Sequence, residues 1–294
     1  MIFHLTSENL WNESRSRGEY AAASLASEGF IHFSTFGQIL SVANLFYKNC
    51  SDPVLLAVEN NPLEGLKWEG ENGLEFPHLY RPLKTEEVIT VIPLLKNERG
   101  EFVSSLELEQ AALAMKIETP RLLLREFQLA DADKIHSYAT DPDLVKFMPW
   151  GPNSIAETRG FLTRKFKEQC ALPRTHFDMS VEDRQTGELL GSCGIVITNV
   201  ESQVAFIGYI LKKSAHGKGF ATEFAKALVK FGFDHLNLHR IEATCDSENL
   251  ASYKVMVNAG MEKEGVLRQN LKFKNRRRDT FICSVIRNQK ADTL

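Results

Sequence analysis

Two glycines bracket a lysine in "LKKSAHGKGFATEFAKALVKFGF", Leu211 to Phe233. Neither Gly217 nor Gly219 has a Cβ, so the backbone there can turn tightly and come close to a ligand. From Phe220 the apolar residues Phe220, Phe224, Ala227, Leu228 and Phe231 fall on one helical face. A helix beginning at Phe220 would aim unpaired amides and the positive end of its dipole at whatever lies in front of it. Lys218 adds a formal charge, so the chemistry suggested is anion binding, a pyrophosphate above all. A Walker loop would place Ser or Thr after the lysine, where Gly219 stands, and a dinucleotide fingerprint would place a third glycine at Thr222. A strand-to-helix turn that binds nothing remains an alternative for these residues alone.

The neighbouring segments narrow the choice. The chain has 294 residues, long enough for two cores. Apolar residues make up 43% and charged residues 25%, as in an ordinary globular protein. Acidic residues outnumber basic ones 16 to 9 in residues 1–116, and basic residues outnumber acidic ones 26 to 22 thereafter, which suits two units with different partners. We place a small α+β domain at 1–104, a linker helix at 105–116 capped by Ser104 or Ser105, and an α/β layer around a mixed sheet at 117–294. Cys50, Cys170, Cys193, Cys245 and Cys283 are scattered and odd in number, so neither a disulfide framework nor a metal site is expected. With no apolar run near bilayer length and a start that turns polar at once, the expected location is the cytoplasm.

The stretch His216-Gly217-Lys218-Gly219-Phe220-Ala221 resembles the R/Q-x-x-G-x-G/A signature of the GNAT superfamily of acetyl-CoA-dependent N-acetyltransferases, with His216 in place of Arg or Gln. "IGYIL" before it, "HRIEATCDSENLASYKVMVNAGM" after it, and "TPRLLLREFQLADADKI" and "EGVLR" look like the ribosomal-protein alanine acetyltransferase branch, so the likeness spans about 117–294. The resemblance implies acetyl-CoA as cofactor, its pantetheine arm along Tyr209, Ile210 and Leu211. It also implies that its pyrophosphate lies on His216, Gly217, Lys218, Gly219, Phe220, Ala221 and Thr222, and that Asn249 lies beside the arm. It further implies acetyl transfer to a primary amine, on a small molecule or a protein N-terminus, by direct attack in a ternary complex.

Such transfer needs a donor for the oxyanion, a neutral amine and a proton for the leaving thiolate. The family's tyrosine acid would fall seven residues after Asn249, where Met256 stands, so Ser252 becomes the candidate acid and Tyr253 a weaker one; a helix-start hydroxyl bonded to backbone is the alternative for Ser252. The family's glutamate base aligns with Phe206, leaving Glu242, Asp246 and Glu248, each also readable as a surface charge or cap. The run "KFKNRRR", Lys272 to Arg278, reads as a solvated hairpin edge or an attractor of acidic partners, without the aromatic pattern that would indicate nucleic-acid recognition.

In the first half, His4 lies on a probable strand, His32 and Ser34 follow period-two spacing, and Glu75 and His78 lie in "LEFPHLYRPL". Structural histidines are the alternative to a shared pocket. "GFIHFS" and "PHLY" resemble a family of small bacterial domains of unknown function with a remote link to ADP-ribosyltransferases. That link implies NAD gripped by His4, His32 and Ser34, with Glu75 near the ribose. Three functions therefore stand: an N-acetyltransferase, an NAD-consuming transferase centred on the first domain, and a non-catalytic acetyl-CoA sensor. The acceptor and the oligomeric state are not legible.

Overall fold

The computed structural model describes residues 1–60, 62–112, 114–171, 173–274 and 276–287. The chain separates into two compact units. The one that carries the glycine loop comprises residues 115–126, 134–154 and the chain from 175 onward. It holds an eight-stranded sheet of β1 (Lys116–Glu118), β2 (Leu122–Glu126), β3 (His176–Asp183), β4 (Leu189–Asn199), β5 (Val204–Leu211), β6 (Arg240–Asp246), β7 (Glu262–Phe273) and β8 (Arg276–Ile286). Their spatial order is β1-β2-β3-β4-β5-β6-β8-β7. Every neighbouring pair is antiparallel except β5–β6, which is parallel.

That parallel pair needs a crossover, supplied by helix α1 (Phe220–Asp234). Phe220, Phe224, Leu228 and Phe231 recur on one face and are buried with Ile195, Ile207 and Ile241 from the sheet. Burying each such side chain stabilises the fold by roughly 1.5–3 kcal/mol. Gly232 lets the helix lie close, since a Cβ there would meet Ile241 Cδ1 at 2.6 Å. After β6, helix α2 (Leu250–Asn258) is capped by Asn249, whose side chain accepts from the Ser252 amide, and ends before Gly260 at φ +92°.

The basic run forms the β7–β8 hairpin at the sheet edge, with Asn275 outside the described residues. It is less solvated than a bare edge would be. The Arg276 guanidinium pairs with Asp246 and Glu248, and Arg278 is buried and donates to the Phe147 carbonyl.

The other unit comprises residues 1–114, 127–133 and 155–174. Pro53–Val58 is the middle strand of an antiparallel sheet between Ile2–Ser7 and Val88–Pro93, and Leu74–Leu79 is the middle strand between Ile31–His32 and Leu66–Glu71. Helix Leu106–Ala111, capped by Ser105, is shorter than the expected 105–116 segment, because Lys116 already belongs to β1.

Helix Ile155–Gln169, from within the 117–294 span, packs in this same unit. Its Thr163 hydroxyl donates to the Gly73 carbonyl (2.9 Å) and accepts from the Glu75 amide (3.1 Å). Lys167 pairs with Glu75 at 2.6 Å. Gly37, near the start of helix Phe36–Phe46, lies where an added Cβ would come within 2.5 Å of both the Phe127 carbonyl oxygen and the Phe166 ring.

Gly37 yields a test with an unusual sign. At an ordinary helical site Gly→Ala stabilises by roughly 0.5–1 kcal/mol. Here a backbone carbonyl blocks the methyl, so Gly37→Ala should destabilise by about 1–3 kcal/mol, read as a fall in the thermal midpoint of a few degrees. An unchanged or higher midpoint would show that the helix is not pressed against Phe127 and Phe166.

Candidate active site

The loop after β5 owes its shape to two left-handed residues, Gly217 at φ +73° and Gly219 at φ +80°. A Cβ on Gly217 would meet nothing within 4 Å, so conformation rather than space calls for glycine there. Gly219 is the N-cap of α1 and offers no side-chain cap. The first intrahelical bond runs from the Glu223 amide to the Gly219 carbonyl (3.1 Å). The six consecutive N–H groups from Gly217 to Thr222 have no acceptor among the described residues. His216 closes the loop from behind: its Nε2–H donates to the Leu211 carbonyl at 3.0 Å, tying the loop back to the end of β5. A glutamine or arginine could make the same donation, so the departure at this position keeps its local function. The Lys218 side chain is exposed and adds positive charge to the loop.

Beside the loop the sheet comes apart. The β5–β6 pairing consists of Val204↔Arg240, Ala205↔Ile241 and Phe206↔Glu242 and goes no further. From Ile207 to Leu211, β5 keeps its antiparallel partner β4 but has no strand on its other edge among the described residues. Alternate residues of that edge therefore leave their backbone donors and acceptors without a strand partner there, with the loop following the strand's end.

The start of α2 supplies a hydroxyl pair. Ser252 Oγ lies 2.9 Å from the Tyr209 hydroxyl, which is also 3.1 Å from the Ser252 carbonyl oxygen. Burial pushes the Tyr209 hydroxyl well above its ordinary pKa, so it stays protonated. Tyr209, which the resemblance places along the cofactor arm, also pairs its hydroxyl with Ser252 across 43 residues, which no local spacing reveals. Asn249 commits its carbonyl oxygen to the α2 cap. Met256 is buried in the core, and the Tyr253 ring packs edge-on against Phe281 at 5.2 Å, away from Tyr209. Of the three carboxylates considered as bases, Glu242 is bound by Arg240 at 2.7 Å, and Asp246 and Glu248 by Arg276. Each is held as an ion pair.

The N-terminal residues divide into separate environments. His4 is buried; its Nδ1–H donates to the His32 carbonyl at 2.7 Å, and Nε2 lies 2.8 Å from the Tyr20 hydroxyl, which also contacts Thr6. Ser34 is buried, whereas His32 is half exposed. The strand is Ile31–His32, and Ser34 follows in an isolated antiparallel bridge to Phe3. The Glu75 side chain is occupied by Lys167. The His32 and His78 rings meet edge to face at 5.1 Å, with Phe30 stacked on His78 at 4.1 Å and Glu69 3.5 Å from its Nδ1. Burial and the His32 charge hold His78 below its ordinary pKa, with Glu69 opposing them.

Comparison with known proteins finds a family match in each half of the chain. Residues 121–262 match the acetyltransferase (GNAT) domain, and residues 5–91 match a protein family of unknown function, DUF952. The chain is 34% identical over 174 residues to the uncharacterized N-acetyltransferase p20 of Bacillus licheniformis, covering 59% of this chain and 97% of that one. An acetyltransferase of the GNAT family from Bacillus anthracis is 30% identical, with a TM-score of 0.53 over 58% of this chain and 98% of its own. The spermidine N-acetyltransferase from Vibrio cholerae, solved with CoA and spermine, shares the fold at 22% identity and a TM-score of 0.51, covering 57% and 96%. The chain belongs to the GNAT family, with a DUF952 module at its N-terminal end.

The buried His4 predicts an acid limit. Burial lowers its pKa from 6.5 to about 4, so between those values the unfolded chain binds the proton that the fold refuses. The stability contributed is complete above pH 6.5, and roughly 3 kcal/mol of it is lost as pH falls to 4. Denaturant unfolding at several pH values should show this slope, and His4→Gln should flatten it. Equal slopes in both proteins would remove His4 as its source.

Proposed function

We propose that the chain transfers an acetyl group from acetyl-CoA to a primary amine, of a small molecule or a peptide, by direct attack in a ternary complex. The observation that carries this reading is the row of six acceptor-less amides from Gly217 to Thr222, set beside the unpaired edge of β5. Bound there, acetyl-CoA would supply an activated acetyl group as a thioester. The amide row at the helix start suits its pyrophosphate. The free edge of β5 suits an amide-bearing arm, which would add to the sheet as a further strand does.

Net transfer forms one C–N bond, breaks one C–S bond and moves one proton from nitrogen to sulfur. Ser252 Oγ is suited to hand a proton to the leaving sulfur, and the Tyr209 hydroxyl to support it by hydrogen bonding as it does so. Asn249 keeps its side-chain amide free for the arm while its carbonyl caps α2. With Glu242, Asp246 and Glu248 ion-paired, proton removal from the amine falls to water, and alignment of the amine carries much of the rate.

A thermal-shift titration tests the cofactor first. Acetyl-CoA at 100 times its dissociation constant stabilises the native state by roughly 2.7 kcal/mol, and Gly219→Glu should abolish the shift by placing a carboxylate before the amides. A shift retained in Gly219→Glu would move the cofactor off this loop. Turnover then tests the acid: Ser252→Ala should lower kcat about a hundredfold with little change in KM for acetyl-CoA, and Tyr209→Phe should lower it less. Full activity in Ser252→Ala would remove the serine from the chemistry.

A further inference from the structure

A carboxylate stands where an anion site should not tolerate one. Glu223 lies in the first turn of α1, one residue beyond the amide row, with its side chain largely buried. Burial acts to raise the Glu223 carboxyl, but hydrogen bonds from Thr119 and from the amide and side chain of Arg121 outweigh it, and it is held below the usual carboxylate range. An uncompensated negative charge at that distance would oppose a pyrophosphate.

Arg121, at the start of β2, answers that charge. Its backbone amide donates to Glu223 Oε1 at 2.9 Å and its Nε to Oε2 at 2.7 Å. Thr119 Oγ1 donates to the same carboxylate at 2.7 Å. The guanidinium stacks over the Phe220 ring, 4.5 Å from its centroid, and Nη1 donates to the Lys218 carbonyl at 2.9 Å. A carbonyl that would otherwise present negative charge inside the loop is thereby engaged. Nη2 has no hydrogen-bond partner among the described residues and lies 3.5 Å from where a Cβ on Gly219 would sit. The side chain is about half exposed, so a ligand can reach it.

We infer that Arg121 is a phosphate-binding residue of the cofactor site, offering Nη2 to a phosphate of coenzyme A while its remaining donors neutralise Glu223 and the Lys218 carbonyl. The inference rests on the cofactor reading above and adds a second side-chain cation, beside Lys218, to a site built mainly from backbone. A guanidinium suits this double duty better than an ammonium, because its planar fork serves three directions at once and stays charged. The phosphate could be the pyrophosphate or the 3′-phosphate of the adenosine, and both carry the chemistry Arg121 recognises.

Calorimetric titration of the full chain with CoA and with dephospho-CoA tests it. Arg121→Gln should weaken CoA binding about tenfold or more at low salt, and Arg121→Lys should fall between it and the wild type. The wild-type affinity should drop with added salt more steeply than that of Arg121→Gln, because a lost charge contact removes salt dependence whereas a lost brace does not. Glu223→Gln should keep or tighten CoA binding. If dephospho-CoA is weakened as much as CoA by Arg121→Gln, the pyrophosphate is the contact; if the loss appears with CoA alone, it is the 3′-phosphate. Equal affinities for wild type and Arg121→Gln would overturn the inference. So would an unchanged salt slope, or a loss in Glu223→Gln matching that in Arg121→Gln. Absence of CoA binding by the wild type would overturn the cofactor reading and this inference with it.

Discussion

Backbone N–H groups must find acceptors, and this constraint organises the acetyltransferase unit. Between Gly217 and Thr222 the chain presents six of them without an acceptor among the described residues. Helix geometry accounts for the ones at the start of α1, since no carbonyl lies four residues ahead inside the helix. The two left-handed glycines turn the preceding N–H groups to join them. A site of this kind costs little to maintain while exposed to water, and it binds an anion without demanding a particular side chain. On the proposed reading His216 can replace the usual arginine or glutamine, because the amides offered to the cofactor belong to the backbone and His216 ties the loop to Leu211.

The same accounting explains the split sheet. A strand edge without a partner is normally covered or charged. In this unit β5 leaves its parallel neighbour after Phe206, and the free edge from Ile207 to Leu211 runs toward the loop. The antiparallel bond to β4 continues along the whole strand and keeps it straight enough to serve as a template. Tyr209 on that strand and Ser252 at the start of α2 then meet across the opening, so the hydroxyl pair is a product of the split as well.

The charged side chains nearby are arranged by compensation. Glu223 is answered by Arg121, Asp246 and Glu248 by Arg276, and Glu242 by Arg240. Such pairs add modestly to stability where they are exposed. Their larger effect is on arrangement, because each guanidinium holds its carboxylate in place beside the sheet or the loop. In the other unit, the glycines at 37 and 73 and the hydroxyl of Thr163 allow helix Ile155–Gln169 to lie flush against its neighbours, a fit set by packing rather than by charge.

Much of the fold was legible locally. The glycine pair, the face of α1, the Asn249 cap and the closing Gly260 follow from φ preferences and helix periodicity, which act within a few residues. The likeness to the GNAT family rested on these same local features in order. The engagement of His4 by the His32 carbonyl and the Tyr20 hydroxyl, the membership of residues 155–174 in the N-terminal unit, and the side-chain partners of Tyr209 and Arg121 were not legible. Tyr209 meets Ser252, and Arg121 meets Lys218 and Glu223, across many tens of residues. The sequence by itself determined that a glycine-bracketed turn opens a helix and that the chain forms two units; only the tertiary structure decided which side chains stand beside that turn. The physical reason is that backbone conformation is governed by neighbours along the chain, while side-chain partners are governed by strand order and the crossing of one parallel pair.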